Sequence, residues 1–151
     1  MPSITPFLWY DSQAEEAMSH YASIFPNAKV GSVNRVGGRV MSVDFELQGQ
    51  KFMALNGGPM YAFNESVSFF VSCDTQQEID DYWSKLTADG GQPGRCGWLK
   101  DKYGLSWQIV PASLGRLFGA TDPATAKRVV DTFMQMNKLD IQKLQDAYDG
   151  K

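Results

Sequence analysis

The string Phe7-Leu-Trp-Tyr-Asp-Ser-Gln-Ala-Glu15 returns later in the chain as Phe70-Val-Ser-Cys-Asp-Thr-Gln-Gln-Glu78, with Phe, Asp, Gln and Glu in register and Ser12 answered by Thr75. A repeat of this kind narrows the fold more than any single motif, because one supersecondary unit must be built twice. In each copy an extended stretch leads into a run with helical spacing. Residues 4–25 read as a strand followed by Ala14, Ala17, Met18, Tyr21 and Ile24 or Phe25 on one helix face, and residues 67–89 repeat the plan. Ser12-x-x-Glu15 and Thr75-x-x-Glu78 predict a capping box at each helix start, where hydroxyl and carboxylate satisfy free amides.

The repeat continues beyond the helices. Val30 to Val36, Val40 to Gln48 and Lys51 to Asn56 read as three strands, divided by the hairpin signals Gly37-Gly38 and Gln48-Gly49-Gln50. In the second half Gly90-Gly91 ends the helix and an irregular segment passes through Pro93 and Gly94. Cys96 to Lys100 and Leu105 to Val110 then form a hairpin around Asp101-Lys102-Tyr103-Gly104. Gly49 to Leu55 lies over Gly104 to Val110, so Phe52 answers Trp107. The fold class is therefore α+β: tandem βαβββ modules, about residues 1–60 and 64–111, in a single domain that ends in a helical tail, about 112–151.

Side-chain alternation sets the faces of the strands. Met41, Val43, Phe45 and Leu47 are expected on a buried face, with Ser42, Asp44, Glu46 and Gln48 on a wet one. Val67, Phe69, Val71 and Cys73 likewise oppose Ser66, Ser68, Phe70 and Ser72. With helices on the apolar faces, the polar faces line solvent or a concave cavity. In the tail, Ala112 to Gly119 suits a short helix, and Asp122-Pro123 is an N-cap followed by proline at the first helical position. Val129, Val130, Phe133, Met134 and Met136 supply its apolar stripe, read as core or dimer packing, and a last helix from Asp140 groups Ile141, Leu144 and Tyr148.

Composition excludes several classes of function. A chain of 151 residues, 43% hydrophobic and 13% aromatic, has the material for a compact core. Its net charge of -3, with Lys and Arg scattered, offers no basic surface for a phosphate backbone, so nucleic acid is not an expected partner. No basic leader precedes an apolar segment, and no apolar run approaches the roughly 18 residues of a membrane span. A cytoplasmic protein without membrane contact is expected. In a reducing compartment its two cysteines, Cys73 and Cys96, are expected as thiols; Arg95 beside Cys96 would favour a reactive thiolate, but a plain core or edge role at a strand start is the favoured reading.

The residue pattern names no reaction. His20 is the only histidine and lies within the first helix, far from the spacing of a metal cluster. Asp44 and Glu46 share a strand face and form a candidate carboxylate pair for acid/base work or a hard cation, or simply solvate that face. The double glycines at 37–38, 57–58 and 90–91 fall at turns and helix ends and match no phosphate-binding loop. Ser66, Ser68 and Ser72 have no histidine base in the sequence around them, and no G-x-S-x-G elbow occurs. Lys100-Asp101-Lys102 is expected as a solvated turn.

Taken with the repeat, the string Cys96-Gly-Trp-Leu-Lys-Asp-Lys-Tyr-Gly-Leu-Ser-Trp-Gln-Ile-Val-Pro111 resembles the PhnB-like branch of the vicinal oxygen chelate superfamily. That superfamily includes glyoxalase I, extradiol dioxygenases and fosfomycin-resistance proteins, and the branch has carried the label 3-demethylubiquinone-9 3-methyltransferase domain. Ile4-Thr-Pro-Phe-Leu-Trp9, Ala14-Glu-Glu-Ala17 with Tyr21, and Val67-Ser-Phe-Phe-Val-Ser-Cys73 running into Asp74, Glu78 and Asp80 support the likeness. It implies modules curving into an open, glyoxalase-like, cup-shaped sheet, usually in a homodimer. It also implies a divalent metal held by His, Gln or Glu on the first and last strands of the modules. Here the last-strand position is Gln108, and the first-strand positions offer Ser3, Ile4 or Thr5 and Ser66, Val67 or Ser68.

The expected function is binding of a small, partly aromatic ligand in the cup, without a metal or other cofactor. Phe7, Trp9, Asp44, Glu46, Ser68, Phe70 and Gln108 are the cavity candidates, unless the opposite face with Trp107 is the lining. The alternative is a metal-dependent lyase, dioxygenase or transferase of the superfamily, with the metal held by Gln108 and Asp44 or Glu46. A third reading makes the helical tail an interaction surface.

Overall fold

Both repeats fold as the strand-helix-strand plan requires, and the turns explain why. The computed structural model describes residues 1–151, and the chain divides into two units, Met1–Phe63 and Asn64–Lys151. The first contains β1 (Phe7–Tyr10), α1 (Ala14–Ile24), β2 (Lys29–Val36), β3 (Arg39–Leu47) and β4 (Gln50–Asn56). The sheet order is β1-β4-β3-β2, with β1 parallel to β4 and the other neighbours antiparallel. The β3–β4 hairpin closes through Gln48 at φ 49° and Gly49 at φ 81°. Two central residues with positive φ match the strand twist, which makes a two-residue connection possible there.

One face of this sheet is covered by α1. Leu8, Tyr10, Val43, Phe45, Leu47, Phe52 and Ala54 are buried, as are Ala14, Ala17, Met18 and Tyr21 on the helix. Met41 departs from the expected alternation and is 48% exposed. An 11-residue helix is about 16 Å long, whereas a nine-residue strand runs about 30 Å, so α1 cannot cover the far end of β3.

The second unit contains β5 (Ser68–Cys73), α2 (Gln76–Thr87), β6 (Gln92–Pro93), β7 (Trp98–Lys100) and β8 (Ser106–Pro111), in the order β5-β8-β7-β6. Again the outer strand, β5, runs parallel to β8. The segment through Pro93, expected to be irregular, forms the two-residue edge strand β6 against β7. The strand expected from Cys96 begins only at Trp98. Cys96 and Gly97 have φ of 59° and 85°, and their amides donate to Met136 O and Asn137 O rather than to a neighbouring strand.

The two capping boxes differ. At α2, Thr75 Oγ1 accepts from Glu78 N at 3.2 Å, and Glu78 Oε1 accepts from Asp74 N. At α1 the expected box is absent: Ala14 N donates to Asn56 Oδ1 at 2.8 Å, and Glu15 pairs with Arg35 at 2.9 Å. Pairing of Tyr10 with Asn56 delivers that amide to the helix start, so a distant residue displaces the local cap.

After β8 follow α3 (Leu114–Phe118), α4 (Pro123–Met134) and α5 (Ile141–Asp149). The two long helices start as expected, with Asp122 accepting from Thr125 N and Asp140 from Lys143 N. The Thr125 hydroxyl and amide hold the Asp122 carboxyl below the usual carboxylate range. Leu117, Val129, Leu144 and Ala147 form their core, flanked by Phe133, Met136 and Tyr148. Val130 and Met134, expected in the same stripe, are exposed, because they lie off the arc that α3 and α5 cover. Gln76 ties the tail to α2: it accepts from Ile141 N at 2.8 Å and donates to Leu139 O at 3.0 Å, beside an ion pair of Asp80 with Lys138 at 2.8 Å. No helix is long and apolar enough to cross a membrane.

Candidate functional site

Strand register lays six side chains of the second unit in two rows on the face away from α2. Lys100 pairs with Ser106 and Ser106 with Ser68, giving a polar row across β7, β8 and β5. Trp98 pairs with Gln108 and Gln108 with Phe70, giving a second row of an amide between two aromatic side chains. Gln108 Nε2 donates to Ser68 Oγ at 2.9 Å and so links the rows. That bond fixes the amide and turns its carbonyl oxygen into the acceptor available to a ligand. Phe70 is 60% exposed, an unusual position for a phenyl ring in the middle of a strand.

A cavity of about 150 Å³ adjoins the polar row, lined among others by Glu65, Pro93, Trp98, Lys100 and Ser106. Glu65 and Lys100 form an ion pair on its wall. The Lys100 ammonium, by hydrogen bond and charge, holds the Glu65 carboxyl below its ordinary pKa. Ser106 is 1% exposed, and its hydroxyl has no hydrogen-bond partner.

On the opposite face, Trp107 is buried in the core. Asp101, expected in a solvated turn, is 2% exposed: Tyr103 N and Leu105 N donate to its Oδ1 at 2.9 and 3.0 Å, and Trp107 Nε1 to its Oδ2 at 2.9 Å. The turn closes around the carboxylate instead of presenting it to water. Cys73 is also buried on this side, where desolvation, then Glu78 and Asp74, push its thiol up to about 11. Cys96 and Cys73 are both free thiols, and Arg95 donates to Met134 O at 2.9 Å.

The remaining candidates share one face of the first sheet. Phe7 pairs with Met53 and Met53 with Asp44, while Glu46 pairs with Lys51. Their polar groups are already engaged. A bulge in β2 sets Gly31 and Ser32 opposite Asp44, whose Oδ1 accepts from Ser32 N at 2.9 Å. A Cβ on Gly31 would fall 2.2 Å from Asp44 Oδ2, so glycine is what lets the carboxylate approach. Glu46 pairs with Lys29 at 3.3 Å. Trp9 donates from its indole nitrogen to Gly58 O at 2.9 Å and meets Tyr61 edge-on, with ring centroids 4.9 Å apart.

A divalent metal of the kind the resemblance implies would meet a poor donor set. On β5 and β8 it consists of one hydroxyl and one amide, Ser68 and Gln108, and both are neutral. No group of three or more His, Cys, Asp or Glu side chains converges anywhere in the chain. Divalent ions call for several anionic or imidazole ligands, so these residues do not fit such a centre.

Trp98, Lys100, Ser106 and Glu65 are the residues that sequence reasoning missed. The first three could have been found from the hairpin register, since pairing Lys100 with Ser106 puts Trp98 beside Gln108 automatically. Glu65 lies outside any strand and left no comparable signal.

A family model described as 3-demethylubiquinone-9 3-methyltransferase matches residues 2–110. Among solved structures, the PhnB protein of Bacillus cereus is similar with a TM-score of 0.68 and 34% identity, over 74% of this chain and 100% of that one. Protein PA1353 of Pseudomonas aeruginosa gives 0.58 and 18%, over 74% and 98% of the two chains. The fosfomycin resistance protein FosX of Listeria monocytogenes, solved with Mn(II) and sulfate, gives 0.56 and 12%, over 78% and 94%. At such identities the last two establish the fold alone. No curated protein matches the chain.

Proposed function

The chain belongs to the 3-demethylubiquinone-9 3-methyltransferase family, in the PhnB-like branch of the vicinal oxygen chelate superfamily, and on that premise we propose that it binds a small, partly aromatic molecule without a metal. The binding surface is the face of the second sheet that carries Trp98, Gln108 and Phe70. The observation behind this reading is the Gln108 amide, fixed by Ser68 at 2.9 Å between two aromatic neighbours. An apolar platform with one or two oriented polar groups suits a flat ligand: the rings bury its surface and the amide oxygen fixes its orientation.

The family's name speaks of methyl transfer, but the chain supplies no support for that step. Neither strand-to-helix turn, Asp11-Ser12-Gln13 or Asp74-Thr75, contains a glycine that would let backbone amides cradle a nucleotide-bearing methyl donor. No side chain on the platform is a base with a nucleophile beside it. What the residues do is desolvate a ring and accept one hydrogen bond.

Native mass spectrometry on untagged protein, with elemental analysis of the same sample, tests the proposal. The expected result is a small-molecule adduct that Gln108→Ala and Trp98→Ala both remove, and no stoichiometric metal. A divalent ion present at one per chain and lost in Gln108→Ala would overturn the metal-free reading and favour a superfamily enzyme.

A further inference from the structure

The polar row beside the aromatic one carries three features that ligand binding through Gln108 leaves unexplained. Ser106 is a buried hydroxyl without a partner, although leaving a buried polar group unsatisfied is costly and uncommon. Lys100, its cross-strand neighbour, projects from the same face into the wall of the 150 Å³ cavity. Glu65 comes from the loop before β5 and places a carboxylate on Lys100.

We propose that Lys100 and Ser106 form a subsite for the carboxylate of a small aromatic acid, and that Glu65 occupies it in the ligand-free protein. The proposal rests on the platform reading and adds the chemical class of the ligand to it. An incoming carboxylate takes the place of Glu65 on the Lys100 ammonium and accepts a hydrogen bond from the Ser106 hydroxyl. The ring then lies along the second row, over Trp98 and toward Phe70, with Gln108 Oε1 facing its edge. Both partners of the Glu65–Lys100 pair are substantially exposed, with side chains 60% and 37% accessible, so solvent screens the pair and little opposes its exchange. Cavity size supports an end group rather than a whole cofactor, since 150 Å³ is below the roughly 300–1,000 Å³ of sites that enclose a drug-sized molecule.

The sign of each substitution follows from charge. Glu65→Gln removes a competing carboxylate while keeping the side chain's shape, so binding of an acid tightens. Lys100→Met removes the only cation among the cavity's lining residues and weakens it. Ser106→Ala weakens it too, yet raises the melting temperature of the ligand-free protein, because an orphan hydroxyl is exchanged for a methyl group. That opposition marks a residue kept for binding at a cost in stability.

Benzoate, benzamide and inorganic phosphate, titrated into the full chain and followed by NMR line shifts, distinguish the outcomes. Benzoate is expected to bind severalfold more tightly to Glu65→Gln than to the natural chain, and at least tenfold more weakly to Lys100→Met. Benzamide is expected to bind with no dependence on either substitution and to be lost in Trp98→Ala. If benzamide behaves in that way but benzoate ignores Lys100 and Glu65, the carboxylate subsite is wrong and the platform stands. If phosphate matches benzoate in affinity and in its dependence on Lys100, the site is a general anion site and the aromatic-acid assignment is overturned. Failure of both aromatic probes to bind at millimolar concentration overturns the subsite together with the platform.

Discussion

The row Phe7–Met53–Asp44 in the first unit and the row Phe70–Gln108–Trp98 in the second occupy the same places in the same topology. In both, an outer parallel strand donates a phenyl ring to a central last strand. The equivalence extends to single hydrogen bonds: Gly57 N donates to Tyr10 O at 2.8 Å, and Ala112 N to Cys73 O at 2.7 Å. The chemistry nevertheless diverges. In the first unit each polar group on the open face is used locally, Asp44 on a bulge and Glu46 on Lys29, and Trp9 lies against the loop that follows β4. In the second, an amide oxygen, an orphan hydroxyl and a readily exchanged ion pair remain. Duplicated topology fixes where side chains stand, whereas the groups around them decide whether they are free to bind anything.

The hairpins leading into these last strands differ most sharply, and there the largest effect is expected. The first closes on backbone conformation alone, through Gln48 and Gly49 at positive φ. The second closes around the Asp101 carboxylate, which takes bonds from Tyr103 N, Leu105 N and Trp107 Nε1. Asp101→Ala leaves three donors without this acceptor, in a place where the side chain is only 2% exposed. A loss of about 3–5 kcal/mol is expected in urea denaturation. Gln48→Gly in the first hairpin should change stability by less than about 1 kcal/mol, because relief of a left-handed non-glycine residue offsets the loss of the exposed bond that Gln48 Nε2 donates to Pro26 O at 2.8 Å. Similar losses from the two changes would mean that the hairpins are held in the same way, against the comparison.

Much of this difference was invisible in the chain. The repeat, the hairpins and the tail's Asp caps were readable because period-two alternation, Gly pairs and Asp-Pro are local signals. Asp101 looked solvated because Lys100 and Lys102 flank it, and nothing local reveals three donors that gather only once the hairpin has formed. Ser12-x-x-Glu15 has the pattern of a cap, but Asn56 is delivered by strand pairing and takes the amide first. Ser68, Phe70 and Gln108 were readable as one surface, since alternation orders residues within strands. Lys100 and Ser106 needed the register between strands, and the Glu65 contact needed a loop path. Local pattern reaches as far as the secondary structure and its faces; the polar partners that distinguish the two units are tertiary.

Buried positions at the ends of the two outer strands give an effect of intermediate size. Tyr10 and Cys73 are equivalent residues, and the first satisfies its hydroxyl on Tyr21 at 3.2 Å. Cys73 has its thiol pushed from 9.0 up to about 11, chiefly by desolvation. In the unfolded chain the thiol ionises near 9, while the folded one keeps its proton until about 11, so between those values the unfolded state binds fewer protons. Stability therefore falls as pH rises from about 9 to 11 and levels off beyond. The shift of two pH units corresponds to about 2–3 kcal/mol. Urea midpoints measured across that window should decline in the natural chain more steeply than in Cys73→Ala; equal slopes would show that the buried thiol does not set the alkaline limit.

The smallest expected effect tests the equivalence of Gly57 and Ala112 directly. A Cβ on Gly57 would lie 2.3 Å from the Trp9 ring, which overlies it, whereas the residue of the second unit that corresponds to Trp9 is Ser72. Gly57→Ala is therefore expected to cost about 1–2 kcal/mol by forcing the indole off its contact with Gly58 and Tyr61. Trp9→Ser carries its own loss of packing, but it removes the obstacle. In the Trp9→Ser background Gly57→Ala should cost almost nothing, or even stabilise by a few tenths of a kcal/mol through reduced freedom of the unfolded chain. The double-mutant cycle thus predicts a coupling of about 1 kcal/mol or more between two residues that the second unit carries as Ser72 and Ala112. Additive losses would show that Gly57 is needed for its own backbone and not for Trp9. The pairing of large with absent side chain on one face, and small with small on the other, would then cease to explain how the loop after the last strand differs between the two units.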